Sequence, residues 1–221
     1  MSTYREIHGK AIKSVTTDPS ATTDEGQIWY NTNSSTFKSI INSQTWSSSS
    51  PTIQDQKYSA QVGTQTAALI FASGPAGQTY TEEYNGSGWT AGGALGTGRY
   101  QVAGFGTQTA AVCAAGDAPP LSPAFRSDVE EYNGTSWTEV TNNSTARYAV
   151  KGFGILTAGA IIGGREPAYS NKTENYDGTN WTSGGAYPAA IENVATGGTL
   201  TAGFAAGGYV PSTQSNISAN Y

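Results

Sequence analysis

This sequence predicts an all-β fold built from four copies of one sheet-forming unit. Three observations carry that reading. A Trp is followed by a Gly at the same interval of 17 residues four times over: 46 to 63, 89 to 106, 137 to 154 and 181 to 198. Charged residues make up only 12% of the chain while Gly reaches 28 of 221 residues, a composition for short strands and tight turns. Runs with helical periodicity are absent, whereas Tyr and Trp recur at fixed places, which argues against disorder.

The elements follow in chain order. Residues 1–40 stand outside the repeat. Within them Ile28-Trp29-Tyr30-Asn31, a polar turn and Phe37-Lys38 read as strand, turn and return strand. Residues 41–221 form the repeat region. Its clearest phrase is Tyr84-Asn85-Gly86 with Trp89, Tyr132-Asn133-Gly134 with Trp137, and Tyr176-Asp177-Gly178 with Trp181. A worn copy runs from Ile41 to Trp46. Asn, Asp and Gly tolerate positive φ, so each phrase is a strand entering a tight turn, with the Trp on the returning strand. The second phrase begins at Gly63, Gly106, Gly154 and Gly198 and opens a small apolar run such as Ala67–Ala72. Such a run fits a strand buried on both faces, at a crowded centre where neighbouring sheets converge. Spacing is fixed from Trp to Gly and variable elsewhere, as one rigid connection and one tolerant loop require. Each unit therefore reads as four strands.

A four-stranded unit of this length, with Gly-rich strand ends, a Tyr and then a Trp, resembles the kelch repeat. Gly163-Gly164 and Gly207-Gly208 match its double glycine, while Ala72-Ser73 and Ala115-Gly116 depart from it. The resemblance implies a β-propeller, here of four blades with the N-terminal hairpin segment attached. The last unit stops at Tyr221, before its Trp strand, and the first supplies Trp46 without inner strands before it. The Trp46 strand pairing with the strand ending at Tyr221 would close a ring and remove exposed edges. An open array, or a ring completed by another chain, is the alternative.

The phrase Glu25-Gly26-Gln27-Ile28-Trp29-Tyr30-Asn31-Thr32, with Phe37-Lys38 after a short turn, is similar to a segment of structural and tail-fibre proteins of tailed bacteriophages. Marine phages carry kelch-like proteins rich in the Tyr-Asn-Gly phrase. The two resemblances together imply a non-enzymatic virion structural protein: a tail fibre, appendage or decoration used in assembly and host adsorption. Its partners would be other virion proteins and a host cell-surface glycan. It would be a homo-oligomer, made in the host cytoplasm and attached to the particle through Ile28, Trp29, Tyr30 and Phe37. The bland reading of the hairpin is a cap on the repeat domain.

Composition narrows the partners. A net charge of −5 with no basic stripe disfavours nucleic acid. No run approaches a membrane span, and residues 1–20 carry no apolar signal core. His8 is the sole histidine and Cys113 the sole cysteine, so neither a metal site nor a His-dependent nucleophile is expected. No cofactor is expected, and no catalytic residue is assigned. Cys113 aligns with Ile70, Ile161 and Ala205 and reads as a buried small hydrophobe. Glu82-Glu83 and Glu130-Glu131 are successive residues on a strand and so point to opposite faces; they read as solvent-facing charges that discourage edge pairing. The triplets at Asn85, Asn133 and Asn180 read as turn chemistry. The repeat Trp residues read as packing between sheets, with sugar stacking as the alternative.

Recognition is expected on the tolerant loops 74–78, 117–127, 165–172 and 209–215, all of which follow the same strand of the unit and contain proline. Phe125, Arg126, Arg165, Tyr169 and Tyr209 are the candidate ligand-binding residues. A carbohydrate-binding propeller, or lectin, is the second functional reading. A glycan-cleaving enzyme is the third, and needs two carboxylates converging in one cleft.

Overall fold

The computed structural model describes residues 13–18, 28–39, 48–74, 76–120 and 124–221. His8, Ile41–Trp46, Pro75 and Pro123 lie outside the described residues. The chain divides into two compact units, Met1–Ser48 and Ser49–Tyr221. The expected boundary after residue 40 falls in the undescribed stretch 40–47.

The first unit contains β1 (Lys13–Val15), β2 (Ile28–Asn31) and β3 (Thr36–Ser39). The antiparallel β2–β3 hairpin follows the sequence expectation. The parallel pairing of β1 with β2 had no sequence signal. Asp18 organises this sheet: Oδ1 accepts from Trp29 Nε1 at 2.9 Å and Asn31 Nδ2 at 2.6 Å, and Oδ2 accepts from Lys38 Nζ at 2.7 Å. Those bonds, Lys38 first, hold the Asp18 carboxyl down at about 2.

The second unit holds four antiparallel sheets. The first comprises β4 (Ala60–Thr64), β5 (Ala67–Ser73), β6 (Gln78–Tyr84) and β7 (Trp89–Ala91). The second comprises β8 (Ala103–Thr107), β9 (Ala110–Asp117), β10 (Phe125–Tyr132) and β11 (Trp137–Val140). In the third, β12 (Lys151–Ile155), β13 (Ala158–Ile162), β16 (Thr173–Tyr176) and β17 (Trp181–Ser183) pair in that order, with a separate hairpin of β14 (Arg165–Glu166) and β15 (Ala168–Tyr169). The fourth has three strands, β18 (Ala195–Thr199), β19 (Ala202–Ala206) and β22 (Ser218–Asn220), and its own hairpin of β20 (Tyr209–Val210) and β21 (Thr213–Gln214). The described residues contain no helix, and hence none long and apolar enough to cross a membrane.

Turn chemistry explains the repeated phrases. Gly63, Gly106, Gly154 and Gly198 all have φ between 96° and 109°, and a Cβ at Gly63 would stand 2.2 Å from the Ala67 carbonyl oxygen. The side chains of Asn85, Asn133 and Asp177 each accept two backbone N–H groups of their own turns. The double-glycine position is left-handed in every sheet, with φ of 55° at Ala72, 62° at Ala115, 66° at Gly163 and 70° at Gly207. The two alanines therefore keep the backbone that glycine serves elsewhere.

The strands where sheets converge differ from expectation. β8 packs beside β4 and β12, and β12 beside β18; these are the strands that end in the repeated Gly63, Gly106, Gly154 and Gly198 phrase, and the apolar runs β5, β9, β13 and β19 lie second. The apolar runs β5, β9 and β13 are buried between neighbouring sheets, whereas β19 leaves Phe204 half exposed. A chain of backbone bonds joins successive sheets near their centre. Gln101 N–H donates to Tyr58 O at 3.0 Å, Ala149 N–H to Gln101 O at 2.9 Å, and Asn193 N–H to Ala149 O at 3.0 Å.

The acidic pairs also correct the sequence reading: they are seam and core groups, not solvent-facing charges. Glu82, Glu130 and Glu174 are buried. Arg99 pairs with Glu130 at 2.8 Å, Arg147 pairs with Glu174 at 2.6 Å, and Gln56 donates to Glu82 at 2.9 Å. The equivalent positions in the fourth sheet are Ile191 and Ala219, which belong to one apolar cluster. Alternation sends the next residue to the other face, where it meets the following sheet. Tyr132 donates to Glu83, Tyr176 to Glu131 at 2.7 Å, and Tyr221 to Asn175 at 2.8 Å.

Trp packing follows expectation. Trp137 packs on Phe71 of the preceding sheet with centroids 4.8 Å apart, and Trp181 meets Phe105 edge-on at 6.4 Å. The Trp137 indole also donates to Thr81 Oγ1 at 2.8 Å. Cys113 is fully buried, and burial pushes its thiol up to about 12.

Candidate recognition face

The connections after β5, β9, β13 and β19 emerge at one side of the four sheets. Backbone bridges hold them there, linking Tyr100 with Asp117, Tyr148 with Arg165 and Glu192 with Tyr209. Each bridge extends the central hairpin of its sheet by one pair beyond a left-handed residue. The expected loops are thus more ordered than plain connections. The third and fourth form the β14–β15 and β20–β21 hairpins, and Phe125 and Arg126 already belong to β10.

Aromatic rings line this side. Phe125 of the second sheet stacks on Tyr148 of the third, with centroids 5.6 Å apart and planes within 5°. Tyr58 and Tyr100 meet at 6.2 Å with their rings tilted by 36°. Lys57 lies 5.0 Å over the Tyr58 ring, and the Arg165 guanidinium lies 5.0 Å over the Tyr169 ring. Burial raises the Tyr169 hydroxyl pKa; Glu192 also raises it, Arg165 opposes this, and Tyr209 and Tyr148 contribute lesser increases. On this side the backbone bridges bring Tyr148 to Arg165 and Glu192 to Tyr209.

On the same side lies an open cleft of about 540 Å³, lined by Glu192, Asn193, Gly208, Tyr209, Gln214 and Ser215. Glu192 Oε2 is buried there without a hydrogen-bond partner. Burial raises the Glu192 carboxyl pKa, and Arg165 only partly offsets it. Tyr209 is 43% exposed at the cleft edge. An apolar ring beside a carboxylate, two side-chain amides and a hydroxyl can bind a polyol: the ring covers a C–H face while the polar atoms take its hydroxyls.

Of the five expected ligand residues, Tyr209 lines the cleft with Glu192, and Arg165 and Tyr169 pair with each other through a cation–π contact. Phe125 joins through its stack on Tyr148. Arg126 is drawn off into an ion pair with Asp128, its Nε donating at 2.6 Å, and is not a free contact. Sequence reasoning passed over Tyr100, Tyr148 and Glu192. The available signal was positional, since each stands three residues before the first residue of the strand that leads into the Gly phrase.

In the first unit, Ile28 and Phe37 are 58% and 61% exposed, and Tyr30 packs edge-on against Phe37 at 5.1 Å. Trp29 is buried against Asp18, so it supports the sheet and is not an outward attachment residue. No group of three or more His, Cys, Asp or Glu side chains suited to a metal ion occurs among the described residues. No protein-family model matches this chain, and no curated protein matches it.

Proposed function

We propose that this chain is a non-enzymatic virion structural protein of the tailed-bacteriophage kind, a tail fibre, appendage or decoration whose loop face binds host-surface glycan. The observation that carries the binding half is the cleft in which Tyr209, Glu192, Gln214 and Asn193 meet beside the Arg165–Tyr169 pair. The virion half rests on the sequence resemblance and on the exposed Ile28 and Phe37 of the first unit. Many copies on one particle convert weak single-site binding into useful avidity. The recurrent carboxylates support a binding role, because Glu82, Glu130 and Glu174 are each held in buried structural bonds. A lectin without a virion is the second reading, and the same cleft favours it.

The four sheets are, in this proposal, the blades of a kelch-like propeller, a reading supported by the same four-strand order in the first three of them.

The test is a glycan array probed with the full chain and with an Arg165→Ala/Tyr209→Ala variant. Binding to a bacterial surface glycan that the variant loses by tenfold or more supports the proposal. Equal binding by the variant, or none by the parent chain to any bacterial glycan, contradicts it.

A further inference from the structure

The inner strands of all four sheets line a second, half-open cavity of about 360 Å³. Ser59, Gln61, Lys151, Asn193 and Thr196 supply its polar side chains, and Lys151 is its one charged residue among those described. The repeat makes this lysine anomalous. It opens β12 at the position where β4, β8 and β18 carry Ala60, Ala103 and Ala195. Among the described residues its side chain forms no ion pair, and no acidic residue lines the cavity with it. Burial lowers the ammonium pKa. A partly buried cation with no partner destabilises a fold unless something negative completes it. The surrounding groups suit that role: Asn193 and Gln61 bring amide donors and Ser59 a hydroxyl, while Thr196 Oγ1 is already committed to Gly152 O at 2.8 Å.

We propose that this axial cavity binds a small oxyanion, with Lys151 as its cation and Ser59, Gln61 and Asn193 as hydrogen-bond donors. The chemistry is shared by the carboxylate of an acidic sugar and by inorganic phosphate. The site shares Asn193 with the cleft at Glu192 but does not depend on the glycan reading of that cleft.

The experiment is calorimetric titration of the full chain with glucuronate and, separately, with inorganic phosphate, on the parent, Lys151→Gln and Lys151→Arg proteins. The ammonium is followed in parallel by NMR of the dimethylated lysines. Saturable binding with Kd below ~10 mM, weakened tenfold or more in Lys151→Gln and retained in Lys151→Arg, supports the site. A rise in the Lys151 pKa on adding the anion supports it without any variant. Preference for glucuronate identifies an acidic sugar, and preference for phosphate a free or esterified phosphate. No saturable binding of either anion, binding unchanged in Lys151→Gln, or a Lys151 resonance unmoved by saturating anion overturns it.

Discussion

The Tyr132 hydroxyl donates to Oε1 of Glu83 at 2.5 Å, from a position 49 residues further along the chain. The bond crosses the seam between the first two sheets, and Tyr176–Glu131 and Tyr221–Asn175 repeat it at the next two. A Tyr132→Phe variant loses a charge-assisted bond at a buried phenol. The expected cost is about 1–3 kcal/mol by urea denaturation. Glu83→Gln in the same background should add little, because the coupling is already gone.

The same phenol sets an alkaline limit. Burial, with the Glu83 bond next, pushes it up from 10 to about 12. The unfolded chain thus loses its proton first as pH rises. The stabilising contribution is full below about pH 10 and is lost as pH climbs through about 12. Thermal melts from pH 8 to 11.5 should show stability falling above pH 10, and Tyr132→Phe should flatten that slope.

The fourth sheet already shows how to replace the buried Arg–Glu pair. Arg147→Ile alone strands Glu174, and Glu174→Ala alone strands Arg147; each should cost about 3–5 kcal/mol. The double variant copies the Ile191–Ala219 pair and should recover most of that loss. A double variant no more stable than either single would show that the pair is not exchangeable as a unit.

The repeat, the strands and the Tyr–Trp turns were legible in the sequence because they depend on neighbours within a few residues. Asn85 bonds its own turn, and Trp89 faces Tyr84 across one hairpin. The fate of Glu83 was not legible, because its partner belongs to the next sheet. Glu130 was misread for a related reason, as Arg99 reaches it from 31 residues earlier. The cleft was half legible. Arg165, Tyr169 and Tyr209 stood on conspicuous loops, whereas Glu192 enters through a backbone bridge that no local pattern marks.

Exposed Ile28 and Phe37 predict the attachment chemistry. Light scattering should find the full chain as an oligomer, and an Ile28→Asp/Phe37→Asp variant should weaken self-association by tenfold or more with an unchanged melt of the repeat region. An unaltered oligomer would place the contact elsewhere.

The most direct test of the recognition account is hydrogen–deuterium exchange of the full chain with and without the oligosaccharide selected on the array. Slower exchange at Arg165–Tyr169 and Tyr209–Gln214 is the predicted footprint. Protection confined to the outer strands Trp89–Ala91, Trp137–Val140 and Trp181–Ser183, or protection nowhere, would contradict it.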